Sequence, residues 1–342
     1  MSHILSPENI LISLLSGYNT YFCTENRAQL PTSDRPALVL QHLRSNETFY
    51  AIAIATPYIA YNNMAFIGRW RRLVEYPCGR GFLWPIDLVY QTNGENQCYL
   101  VYPFRNMAPY KSMSELSKTR KFFGLDHRMT RDIAMAFLNA YESLERNNYL
   151  YFGLDDDDIF INTLDGRVLI PINERISIDK RERLSFTNRE YLSEVIDPYC
   201  YANRKITPGS NDVYSYDIDS ERYAFISILF RLLIGLYPYE GPYMDEYEYN
   251  VESENNRDWI FHYLQNPVFI FDENDTSNSI ANFNKNEEHL KRWGMLTERL
   301  RGMFANTFVS DNVMRRGTVT QYAAAEWRAA LEECFRETKP ID

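Results

Sequence analysis

The stretch Arg222–Gly241, RYAFISILFRLLIGLYPYEG, constrains this chain more than any other. From Arg222 to Ile234 it is apolar on nearly every side. A helix there has little surface to offer water and has to be surrounded by other elements. Gly235 supplies its C-cap. Such a helix needs a large domain, and 342 residues, 45% hydrophobic and 15% aromatic, provide for one two-part domain or two ordinary ones. Arg231 interrupts this run, and the other long apolar run, Tyr50–Ala60, is too short, so neither crosses a bilayer. The N-terminal MSHILSPENILISLL has no basic region and no small-residue cleavage site, and does not read as a signal peptide. A cytoplasmic protein without membrane association is the expectation.

Net charge is −10, from 46 acidic and 36 basic side chains. Duplex DNA and RNA binders neutralise phosphates with a basic surface, so this balance argues against nucleic acid. One basic cluster, Arg69–Arg72 (RWRR), forms a local patch, read as a solvated helix face before a partner surface. The five cysteines, Cys23, Cys78, Cys98, Cys200 and Cys334, stand singly, and an odd count without CxxC pairs suits reduced thiols. The histidines are isolated too, so no zinc spacing appears.

The first third is strand-rich. Ala37–Leu43 and Thr48–Thr56 are dense in β-formers, and the polar link Arg44–Glu47 makes them a hairpin. A helix follows over about Asn62–Tyr76 and stops at Pro77. Ile86–Gln91 and Gln97–Tyr102 flank Thr92–Asn96 as a second hairpin. His127–Asn147 has helical spacing through Ile133, Phe137, Leu138, Tyr141 and Leu144. Two short strands, Ile159–Asn162 and Arg167–Ile170, turn at Asp165-Gly166. Further helices are expected at Glu254–Gln265, Lys285–Ala305 and Thr320–Glu337. Tyr237–Tyr249 and Asn274–Glu288 read as exposed loops. Strands first and helices after give an α+β protein of two lobes.

Several of these segments together resemble protein kinases. Arg222–Gly241 is similar to the central helix of the kinase C-lobe, and Tyr149–Ile172 to the catalytic-loop hairpin. Asn266–Asp272 (NPVFIFD), Trp293, Phe304–Phe308 (FANTF) and Glu326-Trp327 resemble the end of a bacterial branch of kinase-like proteins. The likeness covers the chain from about Asp132. Before that it rests on element order and on WPIDLVY, Trp84–Tyr90. It implies a strand-rich N-lobe over 1–103, a hinge over 104–110 and a helical C-lobe over 111–342.

Phosphoryl transfer in that fold is positioning and charge neutralisation. The resemblance therefore asks for a glycine-rich loop, a strand lysine paired to a helix glutamate, a catalytic aspartate and two metal ligands. Before Gly68 the only glycine is Gly17, and the first lysine anywhere is Lys111. The strand Tyr50–Ala55 is apolar at every candidate position. Aligned on Ile159–Ile161, Gly153 falls where the catalytic base belongs, and glycine accepts no proton. Asp158 takes the place of the metal-binding asparagine, and Pro171 that of the DFG aspartate. Structural parts fare better. Glu194 stands where kinases have the glutamate of Ala-Pro-Glu, with Arg315 or Arg316 as its partner. Glu221, or Asp219 beside it, stands where an aspartate holds the catalytic-loop backbone.

Asp155–Asp158 is four carboxylates in a row. Each repels a polyphosphate by on the order of 1–4 kcal/mol at contact. Three readings stay open: a solvated turn, a cation site using Asp155 and Asp158, or a residual enzyme with Asp155 as base. The expected function is a pseudokinase: a catalytically impaired regulatory or scaffolding module whose partner is another protein. No cofactor is expected, and binding of ATP or magnesium runs against the residues present. The alternative is a divergent ATP-using transferase rebuilt around Asp155 and Asp158. An antibiotic-kinase type of phosphotransferase needs the aspartates this chain lacks.

Overall fold

The computed structural model describes residues 10–28, 37–54, 64–91, 97–118, 127–173, 175–187, 195–206, 208, 211–242, 258–282, 287–309 and 322–337. Along the chain, β1 (Ile10–Ser13), β2 (Thr20–Ala28), β3 (Ala37–His42) and β4 (Thr48–Ala53) precede helix α1 (Met64–Glu75). β5 (Phe82–Leu83), β6 (Asp87–Gln91), β7 (Cys98–Pro103), β8 (Tyr110–Ser112) and the short α2 (Met113–Lys118) follow. Then come α3 (His127–Arg146), β9 (Leu150–Tyr151), β10 (Phe160–Asn162), β11 (Val168–Pro171) and β12 (Ile176–Ser177). β13 (Leu184–Phe186), α4 (Pro198–Ala202) and β14 (Tyr214–Tyr216) lead to α5 (Ile218–Ile234). The chain ends in α6 (Asp258–Gln265), α7 (Glu287–Met295), α8 (Glu298–Phe308) and α9 (Ala324–Glu337). It divides into two compact units, Met1–Glu115 with Asp157–Ile178, and Leu116–Asp156 with Asp179–Asp342.

The first unit is built on a closed antiparallel barrel in the order β1-β2-β3-β4-β7-β6. β1 closes it by pairing on both sides, Leu11 opposite Tyr21 of β2 and Gln91 of β6. Sequence reading gave β3, β4, β6 and β7 but neither β1 nor β2. Alternation along the strands turns Leu11, Tyr21, Leu40, Ala51, Val89 and Val101 inward as one apolar cluster. One carboxylate is buried in the barrel. Asp87 accepts from Ser13 Oγ at 2.7 Å, Tyr21 Oη at 2.9 Å and the Leu88 amide at 2.8 Å. These bonds tie β1 and β2 to β6. Burial, and the Asp87 charge beside it, push the Tyr21 hydroxyl well above the ordinary tyrosine range.

Helix α1 buries Ile67, Trp70 and Leu73, three residues apart on one face. Trp84 Nε1 donates to Leu73 O at 2.7 Å near the end of that helix. A second sheet in this unit runs β5-β11-β10-β8, with β8 at its edge.

In the second unit α5 is the buried axis. Asp217 caps it, accepting from Asp219 N and Ser220 N, and Ser220 Oγ completes a capping box. Gly235 ends it at φ 91°, the left-handed region that a Cβ disfavours. The helix thus starts four residues before Arg222, and the pair Asp217/Ser220 is the signal for it. Phe225 stacks on Phe137 and Tyr141 of α3, at 5.2 and 4.1 Å between centroids. Phe230 lies among Phe269, Phe271, Trp293, Phe304 and Phe308. Helix α9 is fastened to α3 by Arg328 Nε on Glu142 at 2.9 Å and by the Ala324 amide on Glu145 at 3.0 Å.

Two expectations change. The single helix over Lys285–Ala305 is two, α7 and α8, because the Thr297 side chain accepts from Leu300 N and starts a new helix. The Tyr237–Tyr249 segment does not begin as an exposed loop, since Tyr237 and Tyr239 are 5% and 4% exposed. The Arg231 guanidinium lies 3.9 Å over the Tyr237 ring, and Tyr239 Oη donates to Phe308 O at 3.1 Å. Residues 243–249 of that segment lie outside the described residues. All five cysteines are buried thiols, none of them in a disulfide. Among the described residues no helix is long and apolar enough to cross a membrane.

Candidate functional site

In the first unit the β10–β11 hairpin sets Phe160 opposite Leu169 and Ile161 opposite Val168. Asp158 ends a short 3-10 turn, Asp156–Asp158, just before β10, and Pro171 is the last residue of β11. Proline offers no side-chain oxygen. Asp158 is 15% exposed, and its Oδ1 accepts from the Arg175 guanidinium, itself 21% exposed. Asn173 holds the arginine's backbone, its Oδ1 accepting from Arg175 N at 2.9 Å. This charge-assisted pair engages Asp158 Oδ1. Magnesium is held through one or two carboxylates with water and phosphate completing its octahedron, and here the one carboxylate already has a cation beside it while Pro171 offers no carboxylate.

Strand β4 has no cation on either face. Phe49, Ala51 and Ala53 pack on the barrel core. Tyr50 and Ile52 point the other way, opposite Tyr102 and Leu100 of β7. That second face looks toward the segment after β11, because Tyr102 Oη donates to Ile172 O at 2.6 Å. Tyr50 stacks on Phe104, with centroids 4.7 Å apart and planes at 25°. Two protein rings therefore occupy this face of the strand. Ala55 lies outside the described residues. Helix α1 carries one carboxylate, Glu75, at its exposed last residue. Its inner cation, Arg69, donates from Nη2 to Ile176 O. Trp70 is buried, while Arg71 and Arg72 are exposed.

The second unit holds the other half of the acidic run. Gly153 has φ 63°, a backbone in which an aspartate would be strained. Asp155 is half-buried, and Asp156 is 4% exposed. Arg231 of the central helix pairs with Asp156 at 3.2 Å. Of the four carboxylates only Asp157, in the first unit, is exposed, so the solvated-turn reading does not describe this run. Among the described residues no three His, Cys, Asp or Glu side chains gather into a metal-binding group.

Glu221 is fully buried, and its Oε2 accepts from the Tyr151 amide, two residues before Gly153. Tyr216 Oη donates to Tyr151 O at 3.3 Å, so both backbone groups of Tyr151 are held. Burial pushes the Glu221 carboxyl well above the usual carboxylate range, against the pull of the Tyr151 amide. Asp219 is not at this backbone but faces Arg222 at 3.5 Å. Glu194, Arg315 and Arg316 lie outside the described residues.

Sequence reading did not find Arg175, Arg231 or Tyr50. For Arg231 a signal existed: the lone charge within the apolar run Tyr223–Ile234 needs a buried partner. Arg175 and Tyr50 carry no comparable mark, since Arg175 reaches Asp158 from a turn and Tyr50 meets Phe104 from strand β4.

The order of elements, strand-rich first and helical after, is that of the protein-kinase-like α+β fold. The structure of a rhoptry kinase from Toxoplasma gondii aligns with it at a TM-score of 0.56, over 96% of this chain and 82% of that one. Identity is 13%, so the likeness shows the fold alone. No protein-family model and no curated protein matches the sequence.

Proposed function

We propose that this chain is a pseudokinase, a kinase-like scaffold that works as a regulatory or scaffolding interaction module. The observation that carries this reading is the Arg175–Asp158 pair: a guanidinium already engages the carboxylate that the kinase likeness would assign to a metal ion. Pro171, Gly153 and the cation-free strand β4 support it independently. A protein partner is part of the proposal, since a scaffold without chemistry acts by contact.

Thermal-shift titration with ATP, with and without magnesium or manganese, tests it. The expected result is no metal-dependent rise in Tm. A rise of roughly 2 °C or more, about 1 kcal/mol of linked binding, overturns the proposal. It would favour a transferase rebuilt around Asp155 and Asp158, which label transfer from ATP would then decide.

A further inference from the structure

The first unit contains a cavity of about 490 Å³ beside the Pro103–Tyr110 segment. Its floor includes Phe160 and Tyr110, both buried. One wall is the Tyr50–Phe104 stack, and Phe104 is 52% exposed although it is the more apolar of the two rings. Concave sites lined by aromatic side chains with a few polar groups are where ligands dock.

Charge around the rim is uneven. Lys111 is neutralised by Glu115 at 2.8 Å. Arg105, next to Phe104, is exposed and makes no hydrogen bond or ion pair among the described residues. Beside it Asn106 spends its Oδ1 on the Ala108 amide at 3.1 Å, leaving its NH₂ as a donor. The rim therefore offers donors and one unbalanced positive charge on a chain of net charge −10. The cavity also borders β8, the edge strand of its sheet, where an extended segment can lie alongside.

We propose that this cavity docks an extended segment of a partner protein, in which a bulky apolar side chain is flanked by a carboxylate. The apolar side chain stacks against Phe104, and the carboxylate meets Arg105. Aromatic and arginine side chains are the residue types that most often carry binding energy in such contacts. This rests on the reading of the chain as an interaction module and names the chemistry of its partner.

Panning a random linear-peptide phage library on the full chain tests it, with the Phe104→Ala and Arg105→Glu chains as counter-targets. Both positions are exposed, and circular dichroism verifies that the variants fold. The expected peptides place Phe, Leu or Trp within two residues of Asp or Glu. They bind the parent at least about tenfold tighter than either variant. Failure to enrich any peptide, enrichment without an acidic preference, or equal binding to the variants overturns the proposal. A second arm adds ATP with magnesium. Displacement of the peptides by ATP sinks the pseudokinase reading while leaving the docking chemistry standing, so the two failures are distinguishable.

Discussion

The two units handle their buried carboxylates differently. In the barrel, Asp87 is met by two hydroxyls and an amide and by no cation, while Asp158 nearby in sequence to β10 is tied to Arg175. In the helical unit Glu221 receives a backbone amide, Asp156 pairs with Arg231, and Glu142 and Glu145 accept from Arg328 and Arg222. The helical unit thus keeps the charges that fix backbone and helix positions. The first unit surrounds Asp87 with hydroxyls and an amide and gives Asp158 an arginine. Polar groups that build a fold and polar groups that run a reaction are separable, even within one chain.

The comparison breaks most easily at its apolar end. Phe230→Ala removes a fully buried ring at the centre of the aromatic cluster and should cost about 3–5 kcal/mol, read from urea unfolding. If the units unfold in separate steps, only the step of the helical unit should move. A loss shared by both steps would show the units to be one cooperative whole. In the barrel, Asp87→Ala orphans three donors and should cost about 2–4 kcal/mol by the same measurement, and Asp87→Asn clearly less. Equal losses would mean that the charge, and not the acceptor count, matters there.

Glu221→Gln sharpens the contrast through pH. Burial raises this carboxyl above its ordinary 4.5. Stability is therefore complete below about pH 4.5 and falls as pH climbs toward the folded value, because the unfolded chain gives up its proton first. The glutamine variant has no proton to lose. Its stability relative to the parent should rise between pH 4.5 and neutrality, and a gap independent of pH would refute this assignment. Smallest is the surface-near pair. Arg175→Ala should cost about 1–2 kcal/mol, and most of that should vanish in the double variant with Asp158→Asn. Additive losses would show the pair to be incidental.

Much of the fold was legible in the sequence. The hairpin at Ala37–Leu43 and Thr48–Thr56 was readable because alternating β-formers flank a polar turn, and Asn46 takes φ 59° in that turn. The central helix was readable from its composition. β1 was not, because four residues, ILIS, carry no period and gain meaning only by pairing with Gln91–Val89 far down the chain. At the site, Gly153 and Pro171 follow from local alignment. The Arg175–Asp158 contact joins two turns on either side of a hairpin through a side-chain direction, which spacing along the chain does not specify.

Barrel closure also sets an order of events. Ile12 has to find Tyr90, and contacts so distant in sequence form late and slowly. Until then β2 and β6 each present a bare row of amides and carbonyls, able to pair with another molecule. A chain begun at Thr20 would keep those rows open for good. Light scattering during its refolding should rise where that of the parent stays flat, which makes the four residues of β1 a guard against aggregation as much as a part of the wall.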